Sequence, residues 1–286
     1  MTFVTSERKW LVVNLNPLTK YNVRVLASTK VGHGNYSKSE GFFTSGIPSG
    51  LPLNIRTTSR SASSLSFTWN PPDTTEQNGV IISYKACVSH SENEPCFQTF
   101  TTRERKWLVG NLNSSTKYFV RVLASTNVGH GNYSESKGFF TNGRPAEKAT
   151  AETSSTLTFS LKIPSKTFVY LYVVAFKLKD DKEPTSSDSY ENSELVTYVE
   201  AENSTNWKPY IAAVVTSSGV DGNMFVLGDG RNTDDPTSRK RRSTTSDYFN
   251  GPLEPGTSYI IFQRIIINEM GDYYSTDWSP SSKTSE

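Results

Sequence analysis

Between residues 64 and 70 the chain reads SLSFTWN, which places Leu65, Phe67 and Trp69 on one side of an extended segment and small polar residues on the other. Side chains alternate faces along a strand, so this period of two predicts a half-buried β-strand, stopped by Pro71-Pro72. The pattern recurs. VIISYKACV (80–88) follows the Asn78-Gly79 turn signal, and RKWLVGNL (105–112) points Trp107, Val109 and, after a turn, Leu112 inward. KYFVRVLAST (117–126) alternates Tyr118, Val120, Val122 and Ala124, and GFFT (138–141) closes the set. Helical periodicity is almost absent. Short alternating segments separated by Gly, Pro and Asn turns predict an all-β chain of two-sheet antiparallel sandwiches.

One run breaks the alternation. FVYLYVVAF (168–176) is continuously apolar. It is about half of what a bilayer span needs, so it reads as a buried strand. The opening MTFVTSERKW has neither the apolar stretch nor the cleavage site of a signal peptide, so no secretory address or membrane anchor is expected within the chain.

The strongest organisational signal is a repeat. Residues 3–46 return at 100–143 without a gap, with ten differences in 44 positions. Such identity marks duplication of a module about a hundred residues long. The second copy is preceded by residues 50–99 of the same module, giving a complete domain at 50–143. The first copy has no such half before it. Residues 1–46 are therefore expected to form only the C-terminal half of a domain, its inner face uncovered, although Trp10 is read with Trp69 and Trp107 as core. Residues 144–286 form a third module, with LTFSLKI (157–163) and FVYLYVVAFKL (168–178) as early strands and IIFQRIIIN and YYSTDWSP as late ones. Two polar stretches, 179–194 and 228–247, read as long inserted loops.

Trp69, Tyr84 and the spacing Leu112, Thr116, Tyr118 before V-x-V-x-A resemble the fibronectin type III domain. The resemblance implies a tyrosine corner, in which the Tyr hydroxyl bonds back to the backbone near the strand's start. The signature recurs as Leu253, Pro255, Thr257 and Tyr259, and in the first copy as Leu15, Pro17, Thr19 and Tyr21. Ser114 stands where the family usually has Pro.

Composition narrows the function. Lys and Arg number 30 against 28 Asp and Glu, so the chain as a whole offers no electrostatic case for nucleic-acid or membrane-surface binding. The three histidines, His33, His90 and His130, accompany no catalytic triad, metal cluster or phosphate loop, so neither an enzyme nor a cofactor is expected. His33 and His130 occupy the same VGHGNYS loop in the two copies and read as exposed side chains in a Gly-rich turn. Cys87 and Cys96 are either a disulfide across a hairpin or two separate thiols. Asn35, Asn113, Asn132 and Asn203 begin N-x-S/T acceptor sites for N-glycosylation, all in predicted loops or turns.

SRKRRST (238–244) is the one concentrated charge. Arg239, Lys240, Arg241 and Arg242, before Ser243, fit the R-x-K/R-R pattern cut by furin-like convertases, and Ser/Thr/Asp/Pro flanks supply an extended, accessible segment. A solvated loop or a nuclear address has the same letters. Sequons and a candidate disulfide favour the secretory reading. A convertase pattern before the last two strands, followed by GPLEPGTSY and GDYYSTDWSP, resembles the membrane-proximal ectodomain of receptor-type protein tyrosine phosphatases. That resemblance implies an extracellular segment of a cell-surface receptor, recognising extracellular or matrix proteins or glycans, with a cleavable stalk. A secreted or matrix adhesive protein built of the same modules is the alternative.

Overall fold

The computed structural model describes residues 2–92, 94–179, 182, 184–217, 222–236 and 247–286. Contact density divides the chain into two compact units. The first comprises Met1–Arg56, Thr68–Trp107 and Phe119–Lys137, and the second Thr57–Phe67, Leu108–Tyr118 and Gly138–Glu286.

In the first copy, β1 (Lys20–Val23) and β2 (Glu40–Phe43) pair antiparallel, with Tyr21 opposite Phe42. No second sheet covers them among the described residues. The repeat makes the consequence measurable. Val25 is 67% exposed where its counterpart Val122 is 0% exposed, and Trp10 is 41% exposed against 8% for Trp107. Trp10 is therefore not a core residue. It stacks on Phe3 with centroids 4.9 Å apart, and the strands that bury Trp107 have no equivalent around it.

The second copy adds β3 (Leu53–Arg60), β4 (Leu65–Asn70), β5 (Ser83–Ser89), β6 (Gln98–Thr102), β7 (Lys106–Val109), β8 (Lys117–Ser125) and β9 (Lys137–Phe140). They form a three-stranded sheet ordered β3-β4-β7 and a four-stranded sheet ordered β6-β5-β8-β9. Inward positions of the alternating segments are buried, including Leu65, Phe67, Trp69, Val109, Leu112, Tyr118, Val120 and Val122. Trp69 meets Tyr84 edge-on at 5.8 Å, and Phe67 meets Phe139 at 5.4 Å, so aromatic rings fill the space between sheets.

The third module contains β10 (Ala151–Glu152), β11 (Leu157–Ser160), β12 (Tyr170–Lys177), helix α1 (Tyr198–Glu202), β13 (Tyr210–Thr216), β14 (Met224–Leu227), β15 (Asn232–Asp234), β16 (Asp247–Phe249), β17 (Ser258–Ile266), β18 (Tyr273–Ser275) and β19 (Ser282–Lys283). Its sheets are β10-β11-β14 and β13-β12-β17-β18, with β19 joined to β17. The inner core gathers Leu157, Phe159, Leu171, Val173, Leu227, Ile261 and Ile265. A second cluster lies on the opposite face of β12 and β17: Tyr172, Val174, Leu195, Ile211, Phe262 and Ile266, with Tyr190, Tyr248 and Trp278 against it. A strand buried on both faces has no polar face to show, which explains the continuous apolar run of β12.

Part of what covers that second face comes from the two polar stretches and the residues that directly follow them, Tyr190, Leu195 and Tyr248 among them. Residues 179–194 include 3-10 turns at Ser187–Ser189 and Asn192–Glu194, and 228–247 include β15 and the start of β16. Their described residues carry these short elements. Their polar composition faces water while a few residues, among them Tyr190, reach inward.

Candidate functional site

The tyrosine corner recurs with one geometry. The phenol oxygens of Tyr21, Tyr118 and Tyr259 accept from the amides of Asn16, Asn113 and Glu254, each five residues upstream, at 3.0, 2.9 and 3.0 Å. A threonine from the closing segment locks each turn. Thr44, Thr141 and Thr284 accept from the amides of Thr19, Thr116 and Thr257 at 2.9, 3.1 and 3.0 Å. Each also donates to the carbonyl of Asn16, Asn113 or Glu254. Sequence reasoning missed these threonines, though the repeated GFFT motif holds two of them. The turn places Leu18, Ser115 and Gly256 at φ 52°, 52° and 62°, a left-handed conformation that glycine adopts at least cost. Leu112 and Leu253 are buried beneath the turn, while Pro255 and Ser114 offer carbonyls to the hydroxyls of Thr257 and Thr116.

Cys87 and Cys96 are bonded, with Cα atoms 5.4 Å apart, joining β5 to the segment that enters β6. Arg121 lies beside the bond, its Nε 3.4 Å from Cys87 Sγ, and donates to the carbonyl of Glu94. The side chains of Asn35, Asn113, Asn132 and Asn203 are all exposed. His33 and His130 each pair through Nδ1 with a serine hydroxyl, Ser28 and Ser125, at 2.6 Å in both copies.

The basic run Arg239–Arg242 with Ser243 lies outside the described residues, but its two flanks do not. β15 and β16 pair antiparallel in the register Asn232–Phe249, Thr233–Tyr248 and Asp234–Asp247, so the run belongs to the connection of a hairpin. Both arms are tied to the third module. Thr233 Oγ1 accepts from the amide of Val214 at 2.9 Å. Tyr248 meets Tyr172 edge-on at 5.8 Å, and Phe249 meets Tyr198 at 5.7 Å. Burial, followed by the charge of Asp235, pushes the Tyr248 hydroxyl above its usual pKa. At the base, buried Asn250 accepts from the Gly228 amide and donates to the Val226 carbonyl, both at 2.8 Å.

Arg264, also unforeseen, sits in β17 with 0% exposure. Its guanidinium donates to Ser275 Oγ, Asn192 Oδ1 and the carbonyls of Ser187 and Tyr190, and lies 4.5 Å from the Tyr273 ring centroid. Burial pulls its pKa below the usual value. It pins the 187–192 turns onto the sheet. The only sequence signal is a charged residue inside IIFQRIIIN. Trp278 supports the same cover, donating from Nε1 to the Thr185 carbonyl at 2.9 Å. Among the described residues no group of three or more His, Cys, Asp or Glu is placed to hold a metal, and no helix is long and apolar enough to cross a membrane.

Two packed sheets, a conserved internal geometry at the corner and the Trp69–Tyr84 pair define a class, and comparison with known proteins agrees. Residues 50–137 match the fibronectin type III domain family, and this part of the chain is such a domain. The chain is 33% identical over 156 residues to the cell adhesion molecule Dscam1 of Drosophila melanogaster, covering 51% of this chain and 8% of that protein. It is 32% identical over 134 residues to receptor-type tyrosine-protein phosphatase F of Homo sapiens, covering 47% and 7%. The crystal structure of the rat CD45 extracellular region, domains d3-d4, aligns at a TM-score of 0.33 and 26% identity, covering 49% of this chain and 74% of that one. The chain thus spans under a tenth of the length of these two curated relatives. It carries fibronectin type III domains like those of adhesion molecules and receptor-type phosphatases, and is a distant homologue of both.

Proposed function

We propose that the chain is an extracellular adhesion or ligand-recognition segment of a cell-surface receptor of the receptor-phosphatase kind, whose third module is a convertase-cleavable stalk. One observation carries the stalk reading: the R-x-K/R-R run falls in the connection of the β15–β16 hairpin, ahead of β17. A cut after Arg242 assigns β16 to β19 to the C-terminal piece. β17 pairs with β12 at eight consecutive positions, from Tyr170–Ile266 to Lys177–Tyr259, and every β17 residue from Tyr259 to Ile266 is buried. Such an interface is a domain core divided between two chains, so the pieces remain associated. The Cys87–Cys96 bond and four exposed sequons support an oxidising, secretory route. Partners are extracellular or matrix proteins or glycans, with no role for nucleic acid.

Secretion from eukaryotic cells behind a signal peptide tests this reading. Denaturing gels should give two bands for the parent and one for Arg242→Ala; the uncut chain and the larger piece, which hold all four sequons, should migrate faster after enzymatic removal of N-glycans, and the 44-residue piece should not. A single uncut band from both leaves a plain adhesive array, secreted or matrix-associated, as the better reading.

A further inference from the structure

Within the second unit, residues 57–67, 108–118 and 138–143 of the complete domain pack with the third module, and the chain crosses between them at 141–146. Short polar crossings of this kind ordinarily act as flexible joints. This one is built as a ladder. The Gly143 amide donates to the Ser275 carbonyl at 2.9 Å, the Asp277 amide donates to the Gly143 carbonyl at 3.1 Å, and Gly143 bridges Thr276 in parallel. Asn142 is buried and fully engaged: its amide donates to the Ser61 carbonyl and its carbonyl accepts from the Ser115 amide.

Asp277 completes the arrangement. One carboxylate oxygen accepts from Asn142 Nδ2 at 2.8 Å and the other from the Ala62 amide at 3.1 Å, so one side chain holds two separate segments of the preceding domain. Charge-assisted bonds of this type are roughly twice as strong as neutral ones. Alongside, Phe140 stacks on Tyr274 at 5.6 Å with an interplanar angle of 18°. From below, the Ser187 hydroxyl donates to the Thr276 carbonyl at 2.5 Å, which ties the latch to the turns pinned by Arg264. The chain is closely packed at Gly143. A Cβ on Gly143 would meet Thr276 Cγ2 at 3.0 Å and Ser115 Oγ at 3.1 Å.

We infer that Asp277 and Asn142 form a latch that removes the hinge between these segments, so that the third module and the adjoining end of the second move as one mechanical element. The consequence for a surface protein is directional: a pull or a bound partner on one side of the crossing is transmitted to the other rather than absorbed by a flexible joint. The inference does not depend on cleavage at Arg242.

The test is a distance distribution between spin labels at Ser63→Cys and Ser281→Cys, two exposed positions on opposite sides of the crossing. It is measured on the full chain with the native disulfide intact. The latch predicts one narrow distribution, several-fold broader in Asp277→Ala and again in Gly143→Val. A broad distribution in the otherwise unaltered chain overturns the inference. So does a width that Asp277→Ala leaves unchanged. Circular dichroism establishes that each variant is folded, and the unaltered chain is decisive even if a variant is not.

Discussion

The rings of Tyr172 and Tyr248 meet edge to face, their centroids 5.8 Å apart and their planes at 72°. Tyr172 belongs to β12, in the body of the third module, and Tyr248 to the hairpin arm that follows the basic run. This contact fixes one end of the connection that carries the basic run against β12.

Tyr248→Ala should therefore destabilise the third module by ~2 kcal/mol, since an aromatic pair and a half-buried ring are lost. Tyr248→Phe should cost well under half of that. Urea unfolding followed by tryptophan fluorescence distinguishes the two.

The corner makes a smaller claim. Tyr259→Phe removes only the hydroxyl that accepts from the Glu254 amide, and should cost ~1 kcal/mol. Tyr118→Phe should cost a similar amount in the complete domain, because Asn113 and Tyr118 repeat the geometry. Thermal melts of the two variants should show separate, comparable losses.

Arg264 tests whether the 185–195 cover is pinned by hydrogen bonds or merely fills space. Arg264→Ala leaves the Ser187 and Tyr190 carbonyls without their donor and opens a cavity, at a cost of ~3 kcal/mol. Arg264→Met restores volume but not donors. Faster amide exchange across 187–195 in both variants supports pinning; faster exchange in the alanine variant alone assigns the effect to packing.

Helix α1 carries a pH-dependent contribution. The Thr197 amide donates to Glu200 Oε2 at 2.8 Å, and this bond with the Thr197 hydroxyl bond lowers the Glu200 pKa. A carboxylate depressed on folding stabilises above its unfolded pKa of ~4.3, and that contribution disappears as pH falls through the lower folded value. Glu200→Gln should lower the neutral plateau of the melting-temperature profile, leave its most acidic values unchanged, and so flatten the acid limb. An unaltered acid limb would contradict the capping role.

The fold was legible because period-two patterning and turn residues report directly on a sheet with one wet face. Leu65, Phe67 and Trp69 needed no tertiary information. The repeat told as much about the first copy, whose Val25 is exposed for want of the opposite sheet. The third module's second core was only half visible: FVYLYVVAF signalled burial on both faces, but nothing local identified the covering segments, whose composition is that of solvated loops. Arg264 and Asp277 escaped for a related reason. Each acts on segments more than seventy residues away in sequence, Arg264 on 187–192 and Asp277 on Ala62 and Asn142, and a single charged residue carries no periodicity. The basic run remains legible only as a motif.

The most direct measurement is on the secreted chain itself. Secreted parent protein, which is proposed to be cut after Arg242, is passed through native size-exclusion chromatography and then through the same column in denaturant. The account predicts one native peak of intact size containing both pieces, resolving into a 242-residue and a 44-residue chain only when β17 is stripped from β12. Separation of the two pieces under native conditions would contradict it.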